Sequence, residues 1–124
     1  MRSVLNTEQA PKAIGPYVQA IQNGNIVFTS GQLGIDPKMG KLADGVEAQT
    51  HASMNNIINI LREAEMTLEN VVKTTVFVQD LNDFAKVNEI YASYFEGTYP
   101  ARSCIEVAKL PMGGLVEIEC VAIK

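Results

Sequence analysis

Two helical stripes set among five strand-like runs predict an α+β sandwich for this chain, with two helices on one face of a mostly antiparallel sheet. Three observations carry that prediction. The elements read in the order β, β, α, β, α, β, β. Apolar residues recur at helical spacing in two segments, and the end of the chain alternates with period two over two runs. At 124 residues, 47% hydrophobic and 19% charged, with no repeat or low-complexity tract, residues 1–124 are expected to form one domain around a single core.

Gly15 and Pro16 close an irregular N-terminal segment, after which residues 17–21 and 25–30 read as two short strands around Gln22, Asn23 and Gly24. Asn-Gly between apolar runs is a hairpin signal. Residues 31–45 hold four glycines and one proline and read as loop. Asp44 and Glu47 have the spacing of a capping box, so a helix is expected to begin there. Met54, Ile57, Ile58, Leu61 and Ala64 form its buried face. Residues 71–78 are dense in β-branched side chains and read as a central strand. A second helix starts near Asn82 or Asp83, runs to Phe95 and stops at Gly97, with Phe84, Val87, Tyr91, Tyr94 and Phe95 as its stripe. Asn88 borders that stripe, and a polar amide there asks for a partner.

The last two runs put charge where a strand is usually apolar. In the first, Ala101, Ser103, Ile105 and Val107 alternate with Arg102, Cys104, Glu106 and Ala108. In the second, Val116, Ile118, Cys120 and Ala122 alternate with Leu115, Glu117, Glu119, Val121 and Ile123. The two are expected to pair as a hairpin through residues 111–114, which would put Arg102, Glu106, Glu117 and Glu119 on one face. A guanidinium on a rigid strand suits a small anionic ligand. Two helices cover one face of such a sheet, so the other, with Leu115, Val121 and Ile123 beside the charges, is expected to meet another subunit. The charges would then line an intersubunit cleft.

Net charge is −4, with no run of Lys or Arg, which argues against a nucleic-acid partner. No apolar stretch approaches membrane-spanning length and the N-terminus lacks a signal-peptide core, so a cytoplasmic protein is expected. Cys104 and Cys120 stand at opposite-parity strand positions and are expected to stay unbridged. One histidine, His51, expected to be an exposed helix residue, and the absence of ligand spacings predict no metal site.

The chain closely resembles the RidA/YjgF family of reactive intermediate (enamine/imine) deaminases. The resemblance rests on Pro100-Ala-Arg-Ser-Cys-Ile-Glu-Val-Ala-Lys-Leu-Pro111 and Val116-Glu-Ile. It extends through Ala13-Ile-Gly-Pro-Tyr-Val-Gln-Ala, Ser30-Gly-Gln, Val72-Lys-Thr-Thr-Val-Phe-Val and Leu81-Asn-Asp-Phe-Ala-Lys-Val-Asn. It implies a chorismate-mutase-like fold and a homotrimer with its sheets packed inside like a barrel, with sites between subunits. The implied reaction is cofactor-free hydrolysis of 2-imino acids such as 2-iminobutanoate and 2-iminopropanoate to 2-keto acids and ammonia. Arg102 matches the family arginine that binds the substrate carboxylate, and Glu117 the glutamate that holds or activates water. Tyr17, Ser30, Gly31, Asn88 and Cys104 match positions lining the same pocket. The segment before Pro100 is shorter than in many relatives, and Met112, Gly113 and Gly114 replace a more charged turn.

Without the resemblance, Arg102 reads equally as an ion-pair partner of Glu106 or Glu119, and Tyr17 and Asn88 read as packing residues. Nothing near Cys104 would activate it as a nucleophile. The competing functions are a non-catalytic 2-keto acid or carboxylate-binding regulator, an RNA-directed translation inhibitor and a protein holdase.

Overall fold

In the computed structural model, which describes residues 1–124, the first three strands form an antiparallel meander. These are β1 (Arg2–Leu5), β2 (Ala20–Asn23) and β3 (Ile26–Thr29). The expected hairpin is β2–β3, and Gly24, at φ 61°, supplies the positive φ its tight turn requires. β2 is shorter than expected, because residues 17–19 lie outside the sheet; β1 was not expected at all.

The 31–45 stretch is not simply loop. It carries β4 (Gln32–Leu33) and a small hairpin of β5 (Ile35–Asp36) and β6 (Lys41–Leu42). Buried amides of the following helix, α1 (Val46–Arg62), hold it in place. Asn56 Nδ2 donates to the carbonyls of Leu33 and Ile35, and Gln49 Nε2 to that of Ala43. The Asp44 capping box does not form. Gly45, at φ 89°, is the N-cap, and no side chain caps the helix. Met54, Ile57, Leu61 and Ala64 are buried as expected, joined by Ile60, while Ile58 is half-buried.

Strand β7 (Val71–Val78) is central, as expected. A 3-10 turn (Leu81–Asp83), capped by Asp80, precedes α2 (Phe84–Ser93), so the second helix begins where its apolar stripe does, with Asp83 as N-cap, and ends two residues before Phe95. Then come β8 (Ala101–Glu106) and β9 (Val116–Ile123). The main sheet runs β1-β2-β3-β9-β7-β8, and β4 also pairs with β9.

β8 and β9 do not form a hairpin. β8 lies parallel to β7 on one side, and β9 antiparallel to β7 on the other. The reason is the α2 crossover: a strand that follows a strand and a helix docks parallel beside the first. β9 then slots between β3 and β7, antiparallel to both, so α1 is a crossover as well. Both helices cover one face. Val27, Met54, Ile57, Ile60, Val76, Val78, Val116, Ile118 and Ala122 make the core between layers.

The new pairing inverts the expected parity of β8. Arg102 sits opposite Thr74, which sits opposite Cys120, on the helix side. Ile105 sits opposite Phe77, which sits opposite Glu117, on the open side. Cys104 and Cys120 therefore share the helix side rather than differing in parity. Both are free, because β7 separates their strands by two spacings, roughly 9.5 Å, beyond disulfide reach. The open face leaves Val4, Phe28, Ile105 and Ile123 at 59%, 50%, 46% and 39% exposure, an apolar surface that neither helix covers.

Ile118, fully buried and flanked by β7 and β4, is one of the side chains on which the packing of the layers rests. Ile118→Ala is expected to cost about 2–5 kcal/mol, read as a lower denaturant midpoint with an unchanged m-value.

Candidate functional site

Strand β8 presents Arg102 under α2, and the helix supplies everything the guanidinium touches. Nη1 donates to Asn88 Oδ1 at 2.7 Å, which gives the Asn88 amide the partner its position demands. The guanidinium carbon lies 4.9 Å from the Tyr91 ring centroid and 5.5 Å from that of Phe84. Tyr91 is itself fixed, its hydroxyl 2.7 Å from Thr74 Oγ1 in the interior. Aromatic faces and an amide oxygen attract the cation without neutralising it. Neither glutamate weighed as an ion-pair partner serves. Glu106 Oε1 accepts from the Leu81 N–H at 2.9 Å, and Glu119 belongs to the other face. Arg102 also lines a cavity of about 320 Å³ with Asn88, Tyr91, Ala92, Tyr99 and Pro100. Cys104 lies on the same side, two residues along the strand.

Glu117 projects into a different cavity, of about 520 Å³, on the open face. Tyr17, Ser30 and Gly31 line it with Glu117, as do Lys12, Ile14, Phe77, Met112 and Glu119. Gly31 lies between β3 and β4, where a Cβ would come within 2.8 Å of Glu117 Cδ and 3.1 Å of its Oε1. Only glycine lets the backbone pass that close to the carboxyl. The Ser30 hydroxyl donates to the Val18 carbonyl at 2.6 Å, and the Tyr17 oxygen accepts from the Ile14 N–H at 3.4 Å. Tyr17 is 52% exposed, its ring at the cavity edge.

The residues singled out in the sequence thus fall into two groups on opposite faces of one sheet. Arg102 and Cys104 lie under α2, which carries Asn88; Glu117, Tyr17, Ser30 and Gly31 are on the uncovered side. The expectation that Arg102 and Glu117 share a face fails with the hairpin that produced it. The aromatic bracing of Arg102 was missed, although Phe84 and Tyr91 flank Asn88 on the helical stripe. Seeing it required the βαβ crossover that sets α2 over β8.

Residues 7–124 match the family described as Endoribonuclease L-PSP. A 2-iminobutanoate/2-iminopropanoate deaminase of Salmonella typhimurium is 49% identical over 127 residues, covering 100% of this chain and 99% of its own. The Escherichia coli (strain K12) protein of the same name is 47% identical at the same coverage. The crystal structure of E. coli TdcF with bound serine superposes with a TM-score of 0.96 at 42% identity, covering 98% of each chain.

Burial raises the Glu117 carboxyl above the ordinary range, and the like charge of Glu119, two residues along the same face, raises it further. Burial also pushes up the Cys104 thiol, an effect Arg102 partly offsets, and takes the Cys120 thiol to about 12. Both sulfurs stay protonated at neutral pH, which disfavours a thiolate nucleophile. Glu119→Gln is expected to lower the Glu117 titration midpoint, followed by carboxyl NMR. A carboxyl raised on folding favours the protonated native state, so its cost is absent below the unfolded pKa and is complete once pH passes the folded one. Glu117→Gln is therefore expected to raise Tm at pH 7 and to bring no such gain below about pH 4.

Proposed function

The chain belongs to the endoribonuclease L-PSP (RidA/YjgF) family, and from that membership we propose that it is a 2-iminobutanoate/2-iminopropanoate deaminase, releasing 2-keto acid and ammonia. The observation that carries the reading to particular residues is Arg102, a guanidinium braced by two rings and one amide with its other donors uncommitted. A 2-imino acid supplies a carboxylate for that fork and an electrophilic C=N carbon beyond it. Charged hydrogen bonds of this kind contribute roughly 1.5–3 kcal/mol each. The bound serine of TdcF is an amino acid bearing the same carboxylate, which supports a small carboxylate ligand here.

Glu117 takes the second role. Its carboxylate accepts a proton from water as the oxygen bonds to the imine carbon, and the nitrogen takes up a proton as the double bond opens. The proton held by Glu117 supplies that nitrogen, and the proton of the new hydroxyl then passes through Glu117 to it as the carbonyl forms and the C–N bond breaks, so imino acid and water give keto acid and ammonia. A raised pKa suits a group that must both take and return a proton. Tyr17, Ser30 and Gly31 wall the water side; Asn88 orients Arg102; Cys104 fills space beside it. No cofactor enters the scheme.

Both roles must meet around one substrate, and one protomer holds them on opposite faces. The site is therefore assembled from neighbouring subunits of a homotrimer, each open face, with Phe28, Ile105 and Ile123, turned inward. No helix is long and apolar enough to cross a membrane, and two free thiols fit a reducing cytoplasm.

The test generates the imino acids in place with an amino-acid oxidase while semicarbazide competes for them. The native chain is expected to speed keto-acid release and suppress semicarbazone. Arg102→Ala should lose at least about 100-fold in kcat/KM, the loss of two charged hydrogen bonds. Glu117→Gln should lose about 10²–10⁴-fold in rate. Co-refolding the two inactive variants in equal amounts is expected to restore about a quarter of native activity, since random assortment re-forms that share of sites between subunits. Native turnover equal to buffer would leave a carboxylate-binding regulator as the better account. No recovery on mixing would put both residues in one protomer's site.

A further inference from the structure

Gln19 joins the two walls of the Glu117 cavity, and nothing in the proposed chemistry uses it. Gln19 is 2% exposed, and every hydrogen bond its side-chain amide makes is to the N-terminal segment. Oε1 accepts from the Thr7 N–H at 2.8 Å. Nε2 donates to the carbonyls of Thr7 at 3.0 Å, Pro11 at 2.9 Å and, more weakly, Ala10 at 3.4 Å. One buried side chain thus fastens residues 7–11, which no main-sheet strand holds. Pro11, Lys12, Ile14 and Tyr17 continue from that segment along the cavity.

The backbone of the same residue reaches the opposite wall. The Gln19 carbonyl accepts from the Ser30 N–H at 2.8 Å, next to the Ser30 hydroxyl's bond to Val18. Ser30 precedes Gly31, whose backbone lies against the Glu117 carboxyl. A second, weaker tie comes from α1, where Asn59 Nδ2 donates to the Gln9 carbonyl at 3.0 Å. Buried amides that satisfy several backbone groups at once order a segment that would otherwise have no ladder to join.

We propose that Gln19 is a positioning residue of the Glu117 site, clamping residues 7–17 as a fixed wall that sets both substrate fit and the partial burial of the Glu117 carboxyl. The catalytic part of the proposal rests on the deaminase reading; the clamp does not. Gln19→Met keeps the length and removes all four side-chain bonds, and Gln19→Glu keeps the acceptor while losing the amide donors. Asn59→Ala, at a half-buried position on α1, removes the tie to the Gln9 carbonyl, loosens the same segment and serves if the Gln19 variants fold poorly.

The measurements are backbone hydrogen exchange, kcat/KM for 2-iminobutanoate, and the Glu117 titration midpoint by NMR. Gln19→Met is expected to speed exchange over residues 7–17 while β7 and β9 stay protected. It should raise KM more than it lowers kcat, for a loss of at least about tenfold in kcat/KM, and move the Glu117 midpoint down as water reaches the carboxyl. Gln19→Glu and Asn59→Ala should fall between Gln19→Met and native. Folded variants with native kcat/KM and a native Glu117 midpoint would overturn the proposal, leaving Gln19 a structural tie only. If the native chain turns over no imino acid, the deaminase reading fails by itself. The Glu117 midpoint then decides the clamp: a downward move upholds it and no move overturns it.

Discussion

Everything in this molecule that bears on chemistry depends on β7 being paired along both edges. Its alternating side chains are read out by β8 on one side and β9 on the other, so a residue's number within a strand decides its face. Val76 and Val78 commit one side of β7 to the buried core. Once they do, Arg102 and Cys104 must lie under α2, and Glu117 and Glu119 must face away from it.

That separation has an electrostatic consequence. A guanidinium and a carboxylate on one face of a twisted sheet would pair and leave neither available to a ligand. Instead a sheet's thickness lies between them. Arg102 is satisfied by groups that hold a cation without cancelling it, and Glu117 is crowded by burial and by another carboxylate. Both are kept reactive by what they are denied. The Tyr91–Thr74 bond extends the arrangement into the core, tying the ring under Arg102 to the central strand.

Much of the fold was legible because burial leaves a periodic trace. The stripe Met54, Ile57, Leu61 marked α1; Val87 and Tyr91 marked α2; Val116, Ile118, Cys120 and Ala122 marked the inner face of β9. What could not be read was pairing. Residues 101–108 alternate just as a hairpin partner would, and their connection to residue 116 is short enough to suggest one. The deciding fact is nonlocal: α2 carries the chain back over the sheet so that β8 begins beside the start of β7 and runs parallel to it. The Asp44 signal failed for a local reason, the positive φ of Gly45. Of the site, Asn88 announced its need for a partner, whereas the identity of that partner followed from the crossover. Gln19 left no trace beyond sitting in a matched motif, because a side chain that bonds only to backbone carbonyls and amides sets no pattern in its neighbours.

The partition of Arg102 and Glu117 also gives the chain a rule about insertions and deletions. Removing or adding one residue early in β8, at constant pairing with β7, would turn Arg102 toward the open face, the face that carries Glu117 and Glu119. A change of two residues would shift its place along the strand and keep its face. The connection between β8 and β9, which spans no ladder position of the main sheet, carries no such restriction. Length variation in the strands is therefore governed by parity, and in the turn by the packing of Leu110 and Gly114 and the place of Met112 at the Glu117 cavity, so the places where this chain can grow are set by an odd–even rule as well as by burial.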